Sequence, residues 1–214
     1  MFRNFQTSKM KRYLAIGLVI SAILVSSSNA AFAGRTNRHE RATNNNAKNN
    51  SANVAQIQES KALPIIGIIQ EESNWCWSAT GVSVTKFMKP QFNLISQSDF
   101  VKKVKGQVEN TSAFPKELQK GLIAYGLESI EGGAQSFRVV KDNINQNQPL
   151  IPEIKWSEGG WHYVVMYGYY QNATMQTVSY MDPWGPNQRF TTKAYKEFVS
   201  NGSFTWDWGI FNIH

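Results

Sequence analysis

Residues 70–80 read QEESNWCWSAT and contain the only cysteine of a 214-residue chain. Trp75 and Trp77 flank Cys76, and the chain offers no second thiol to pair with it. From Trp75 the apolar positions Ala79, Val82 and the pair Phe87-Met88 recur at helical spacing. Ser73 or Asn74 is available as a helix cap, and Pro90 closes the segment. Cys76 therefore falls in the first turn of the first helix of the folded region. Unsatisfied backbone N–H groups and the positive end of the helix dipole favour a thiolate there, and the thiolate is the nucleophilic form. Glu71 and Glu72 oppose this unless their side chains turn to solvent. A lone cysteine is also commonly a small buried hydrophobe, so the helix start favours reactivity without proving it.

Two more helices are expected downstream, at Gln97 to Val108 with Val101, Val104 and Val108 on one face, and from Pro115 through Leu118, Leu122 and Tyr125. A short fourth helix is expected at Phe137 to Asn145. After Pro149 the texture changes. LIPEIKW, WHYVVMYGYY, TMQTVSYM, QRFTT and FTWDWGIFNI are β-branched and aromatic runs separated by Gly, Asn and Pro. Helices first and strands afterwards indicate an α+β domain with a mainly antiparallel sheet.

Upstream, the first charges are Arg3, Lys9, Lys11 and Arg12, all positive, and 13 apolar-rich residues follow from Tyr13 to Val25. Small and polar residues then lead to Ala31-Phe32-Ala33, so residues 1–33 read as a cleavable export signal. A permanent membrane helix takes about 20 apolar residues. The expectation is a protein secreted or delivered to the periplasm, without stable membrane association once the signal is cut. Residues 34–60 are rich in Asn, Ala and Ser and have no aromatic residue, which predicts a disordered linker or a short pro-segment.

The remaining 61–214 is of ordinary size for one domain. It carries 14 Lys and Arg against 13 Asp and Glu, although the whole chain is at +7. So near-neutral a domain gives no reason to expect nucleic acid as a partner. With one cysteine and no histidine cluster, neither a disulfide nor a zinc site is expected. No organic cofactor is called for either, and a monomer is expected.

A nucleophile requires a base. Of three histidines, His39 lies in the linker and His214 ends the chain, which leaves His162, in GGWHYVVMYGY at the start of an apolar strand. On its own a strand histidine is more often structural. If the next hairpin turns near Asn172-Ala173, facing residues sum to about 344 or 345, and His162 lies across from Asp182 or Pro183. A carboxylate so placed fixes the imidazole tautomer and steadies its cation. Alone, Asp182 would read as a turn residue before Pro183.

Three motifs in this order resemble those of the papain-like cysteine peptidases. Gln70 stands six before Cys76-Trp77, His162-Tyr163-Val164 is followed by Gly168-Tyr169, and Asp182-Pro183-Trp184-Gly185 resembles the family's Asn-Ser-Trp-Gly. The N-W-C-W-S-A signature and the D-P-W step are most similar to compact bacterial branches: staphopains, plant-pathogen effector proteases and bacteriocin-processing peptidases. The resemblance implies a papain-like fold, Cys76 as nucleophile, His162 as general base then acid, and Asp182 as orienter. It implies Gln70 in the oxyanion hole and Trp184 as a shield over the His–Asp contact. The implied activity is thiol-dependent hydrolysis of a peptide or protein substrate. The same acyl-enzyme also serves a transpeptidase or a glutamine deamidase. An aromatic-rich binding module with an inert thiol is the reading outside enzymology.

Overall fold

A computed structural model describes residues 58–184 and 189–214. The segments read as an export signal and, up to residue 57, as a linker, together with Gly185, lie outside the described residues. Strand β1 (Glu59–Ala62) comes first, then helices α1 (Cys76–Met88), α2 (Gln97–Lys105) and α3 (Pro115–Ala124). Next come β2 (Ile130–Gly133), α4 (Phe137–Asn145), β3 (Ile151–Trp156), β4 (Trp161–Tyr163), β5 (Val165–Gln171) and β6 (Gln176–Met181). Strand β7 (Phe190–Ala194), the short α5 (Tyr195–Val199) and β8 (Phe204–Phe211) complete the chain.

The α+β order is as the texture predicts, but the strands form two four-stranded sheets, β1-β5-β6-β7 and β2-β8-β3-β4. Every ladder in them is antiparallel. The run WHYVVMYGYY is two strands, because β4 pairs with β3 while β5 pairs with β1 and β6. Val164 marks the change of sheet, fully buried, with its N–H donating to Pro152 O at 3.1 Å.

Helix limits follow local chemistry. Ser96 Oγ accepts from Asp99 N at 3.0 Å, and Asp99 Oδ2 accepts from Ser96 N at 2.9 Å, a reciprocal cap that starts α2. Gly106, at φ +84°, ends it. The helix is thus shorter than its expected range, and Val108 lies outside it, exposed. For α1 neither Ser73 nor Asn74 is the cap. Trp75 holds that position without a side-chain bond.

The three helices lock on one ring. Phe100 of α2 is fully buried between Gly81 of α1 and Gly121 of α3, and a Cβ on either glycine would sit 2.5 Å from a Phe100 ring carbon. Trp77 lies against the same ring, with centroids 5.9 Å apart. The start of α1, and with it Cys76, is therefore fixed by the helical core.

Two short strands and a helix had no signal. Strand β1, ESKA, begins two residues before the Lys61 boundary and is held as an edge by pairing with β5 and by the Glu59–Lys141 ion pair at 2.8 Å. Strand β2, IEGG, has two glycines and a sequence that favours no extended structure, and gains its ladder from β8. Helix α5 has only five residues.

Candidate active site

The question posed by Trp-Cys-Trp has a packing answer. Trp75 and Trp77 are buried, and their indole N–H groups donate to Glu109 O at 2.8 Å and Thr111 O at 2.9 Å. Asn74 donates through its side chain to Asn110 O at 3.1 Å and through its backbone to Asn110 Oδ1 at 3.0 Å. The turn before α1 is thus pinned to segment 109–111 by residues on both sides of the thiol. Cys76 itself remains half-buried and free. As a first-turn residue it presents a backbone N–H with no acceptor inside the helix.

His162 reaches the same place from β4. It is 4% exposed, and its Nε2 lies 2.7 Å from Asp182 Oδ1. The Cys76 side chain lies close enough to the ring to act on it through hydrogen bonding and charge. With Nε2 given to Asp182, Nδ1 is the nitrogen that faces sulfur. Burial alone would drive the imidazole toward its neutral form. The hydrogen bonds to Asp182 and Cys76, and the negative charge on both, outweigh it and raise the ring to about 9. Sulfur, imidazole and carboxylate therefore form one chain of contacts across 106 positions of sequence, Cys76 to Asp182.

Asp182 is held on three sides. Its N–H donates to Arg189 O at 2.7 Å, Trp184 N donates to its Oδ1 at 2.8 Å, and His162 takes the same oxygen. The register that brings it there differs from the hairpin expectation. Asn172 Oδ1 accepts from Thr174 N and Met175 N, so the turn spans Asn172 to Met175. A bulge follows at Tyr167, and the ladder then pairs Val165 with Met181. Extending that ladder sets Asp182 opposite Val164, two residues from His162. Contact with His162 is made because β4 leaves the ladder for the other sheet.

The Trp184 ring stands perpendicular to that of His162, centroids 6.1 Å apart at 89°, and is about half exposed. A second indole was not expected from sequence. Trp156 of β3 stacks on the His162 ring, centroids 6.1 Å apart and 27° from parallel. Its signal lay only in the β3–β4 ladder, which no local pattern specifies.

Gln70 adjoins the site, its N–H donating to Pro183 O at 2.9 Å beside Asp182. Its amide nitrogen donates to Glu72 O at 2.8 Å and Ser73 O at 3.0 Å, and Oε1 is buried without a partner. In this arrangement both amide N–H groups brace the turn that leads into Cys76. The Cys76 backbone N–H, without an acceptor in the helix, is the other donor at this point.

Residues 58–202 match the sequence model of the family described as Papain-like cysteine protease AvrRpt2. The chain belongs to this family. Among solved structures, this papain-like protease is similar to the peptidase domain of Streptococcus ComA, a bi-functional ABC transporter involved in a quorum sensing pathway. The identity is 20% and the TM-score 0.52, over 68% of this chain and 95% of that one. It is also similar to a peptidase from Bacillus anthracis at 12% identity and a TM-score of 0.53, over 72% and 97% of the two chains. At such identities the likeness is one of fold, helices with the cysteine at the first helix start and antiparallel sheets after them. No curated protein matches the chain.

Proposed function

We propose that this papain-like protease is an exported endopeptidase working through an acyl-enzyme on Cys76. The observation that carries the reading is His162 in contact with Cys76 on one side and with Asp182 on the other. The Cys76 thiolate adds to the substrate carbonyl carbon, and the carbonyl electron pair moves to oxygen, which the Cys76 backbone N–H meets. The His162 imidazolium gives its Nδ1 proton to the leaving amine as the C–N bond breaks. Neutral His162 then takes a proton from water, whose hydroxide adds to the thioester. The thiolate leaves and the acid product departs. Asp182 keeps Nε2–H oriented throughout and steadies the ring cation. Gln70 joins the oxyanion hole when one of its two carbonyl bonds is released. Trp184 keeps water from the His–Asp contact. Export is supported by the basic start, the apolar run and Ala31-Phe32-Ala33.

A denatured protein substrate incubated with the wild type and with Cys76→Ala tests the reading by mass spectrometry. Backbone cuts made only by the wild type support it. A gain of about 1 Da at glutamine, or crosslinks, would assign the same intermediate to deamidation or transpeptidation. Iodoacetamide at neutral pH should label native Cys76, and a thiol reactive only after denaturation would return the chain to the binding-module reading.

A further inference from the structure

A second feature, on the strands beside His162, concerns what the protease selects. Both neighbours of His162 in β4 lie beside a carboxylate. Trp161 Nε1 donates to Asp207 Oδ2 at 3.2 Å, and Tyr163 faces Glu153, its partner in the β3–β4 ladder. Glu153 and Asp207 line a cavity of about 300 Å³ between the start of α3 and the second sheet, with Glu131, Phe114, Trp208 and Lys116 on its other sides. That is room for one large side chain. It lies one ladder step from the residue opposite His162, since Ile154 faces His162 and Glu153 faces Tyr163.

The cavity's chemistry is lopsided. Three carboxylates face one ammonium, and Lys116 is exposed at the rim. Glu153 is 8% exposed, yet none of the ion pairs among the described residues includes Glu153, Glu131 or Asp207. The hydroxyl of its ladder partner Tyr163 has a single proton and donates it to Ala113 O at 3.3 Å. A buried carboxylate without a cation is costly, and burial, followed by the charge of Asp207, holds Glu153 above the usual carboxylate range. Phe114 and Trp208 meanwhile stand exposed on the walls. A carboxylate inside and aromatic rings along the sides suit an aliphatic stem ending in a positive charge.

We propose that this cavity is the subsite for a Lys or Arg side chain of the peptide being cut, with Glu153 as the specificity-determining residue and Asp207 in support. The inference rests on the endopeptidase reading, and binding separates the two. The Cys76→Ala protein is titrated, by fluorescence anisotropy, with labelled octapeptides in which one Arg, norleucine or Glu is walked through an Ala-Gly background. At one position the Arg peptide should bind at least about tenfold more tightly than norleucine, the scale of one charge-assisted hydrogen bond, with Glu weakest. Glu153→Gln in that background should remove most of the Arg advantage. Asp207→Asn, at an exposed position that tolerates the change, should reduce it by a smaller factor. Norleucine binding as well as Arg at every position, no binding by the Arg series, or an Arg advantage untouched by both variants would overturn the subsite. Failure of the wild type to cut any peptide would count against the endopeptidase reading and leave this binding result standing.

Discussion

His162 Nε2 and Asp182 Oδ1 lie 2.7 Å apart although His162 sits in β4 and Asp182 directly follows β6, strands of different sheets. The contact forms at the point where the chain crosses from β4 to β5. Moving either sheet against the other would break it, so the pair reports how the two sheets are joined as well as how the base is oriented.

Removal of the nucleophile or its base should be nearly complete in effect. Cys76→Ala and His162→Ala are each expected to lower kcat/KM by roughly a million-fold, since the two act as a unit. Asp182→Asn should cost less, because an amide oxygen still accepts from Nε2 but supplies no charge. Steady-state kinetics on a fluorogenic peptide, with circular dichroism to verify folding, would measure this. Full activity in the Cys76→Ala protein would sink the mechanism.

Raising His162 to about 9 has two consequences. For activity, the basic limb of kcat/KM against pH should fall near 9, where the ring loses its proton. Asp182→Asn should move that limb toward the ordinary 6.5. For stability, the folded value lies above the unfolded one, so the proton's contribution is present in full below pH 6.5. It is lost as pH rises through about 9. Urea midpoints taken at about pH 6 and about pH 9.5 should therefore fall further in the wild type than in His162→Gln. Equal falls would show that His162 is not the group responsible.

The indoles on His162 should be separable. Trp156 stacks on the ring face, where aromatic π density favours the cation, and Trp184 stands perpendicular to the ring. Trp156→Leu is expected to lower the basic limb of the pH profile. Trp184→Ala keeps the backbone N–H bond to Asp182 and opens the pair to water, and should lower kcat/KM by up to about tenfold.

Gln70→Ala distinguishes a donor from a brace. As an oxyanion donor it should reduce kcat roughly 100-fold with KM little changed. A lowered urea midpoint with kcat intact would confine Gln70 to holding the Glu72–Ser73 turn.

Away from the site, Gly81→Ala sets two effects against each other. Helix propensity favours Ala by about 1 kcal/mol. The new Cβ would lie 2.5 Å from Phe100, which is wedged against α3, and overpacking of this kind costs about 1–3 kcal/mol. Net destabilisation is expected in urea titration, with relief in the double variant Gly81→Ala, Phe100→Leu.

The helices were legible because their information is local. Apolar spacing and Pro115 at a helix start act within a few residues, although the range expected for α2 runs past the Gly106 that ends it. The candidate nucleophile stood out for the same reason, as the lone thiol of the chain at the start of such a helix. The strands of the second half were visible as runs, but not which of two sheets each would join. β1 and β2 carried too few β-forming residues to be seen without their partners β5 and β8.

What the sequence determined by itself was a cysteine at a helix start, one usable histidine and an aspartate in a motif of matching order. Tertiary structure alone decided the hairpin register, set by the Asn172 side chain and the bulge at Tyr167, and the crossing at Val164 that brings His162 to Asp182. It alone stacked Trp156 on the base, engaged both N–H groups of Gln70 and buried Glu153 beside its cavity. The reason is physical. Helix and turn propensities are fixed by neighbours along the chain, whereas ladder pairing and burial depend on segments that meet only when the sheets close around the core.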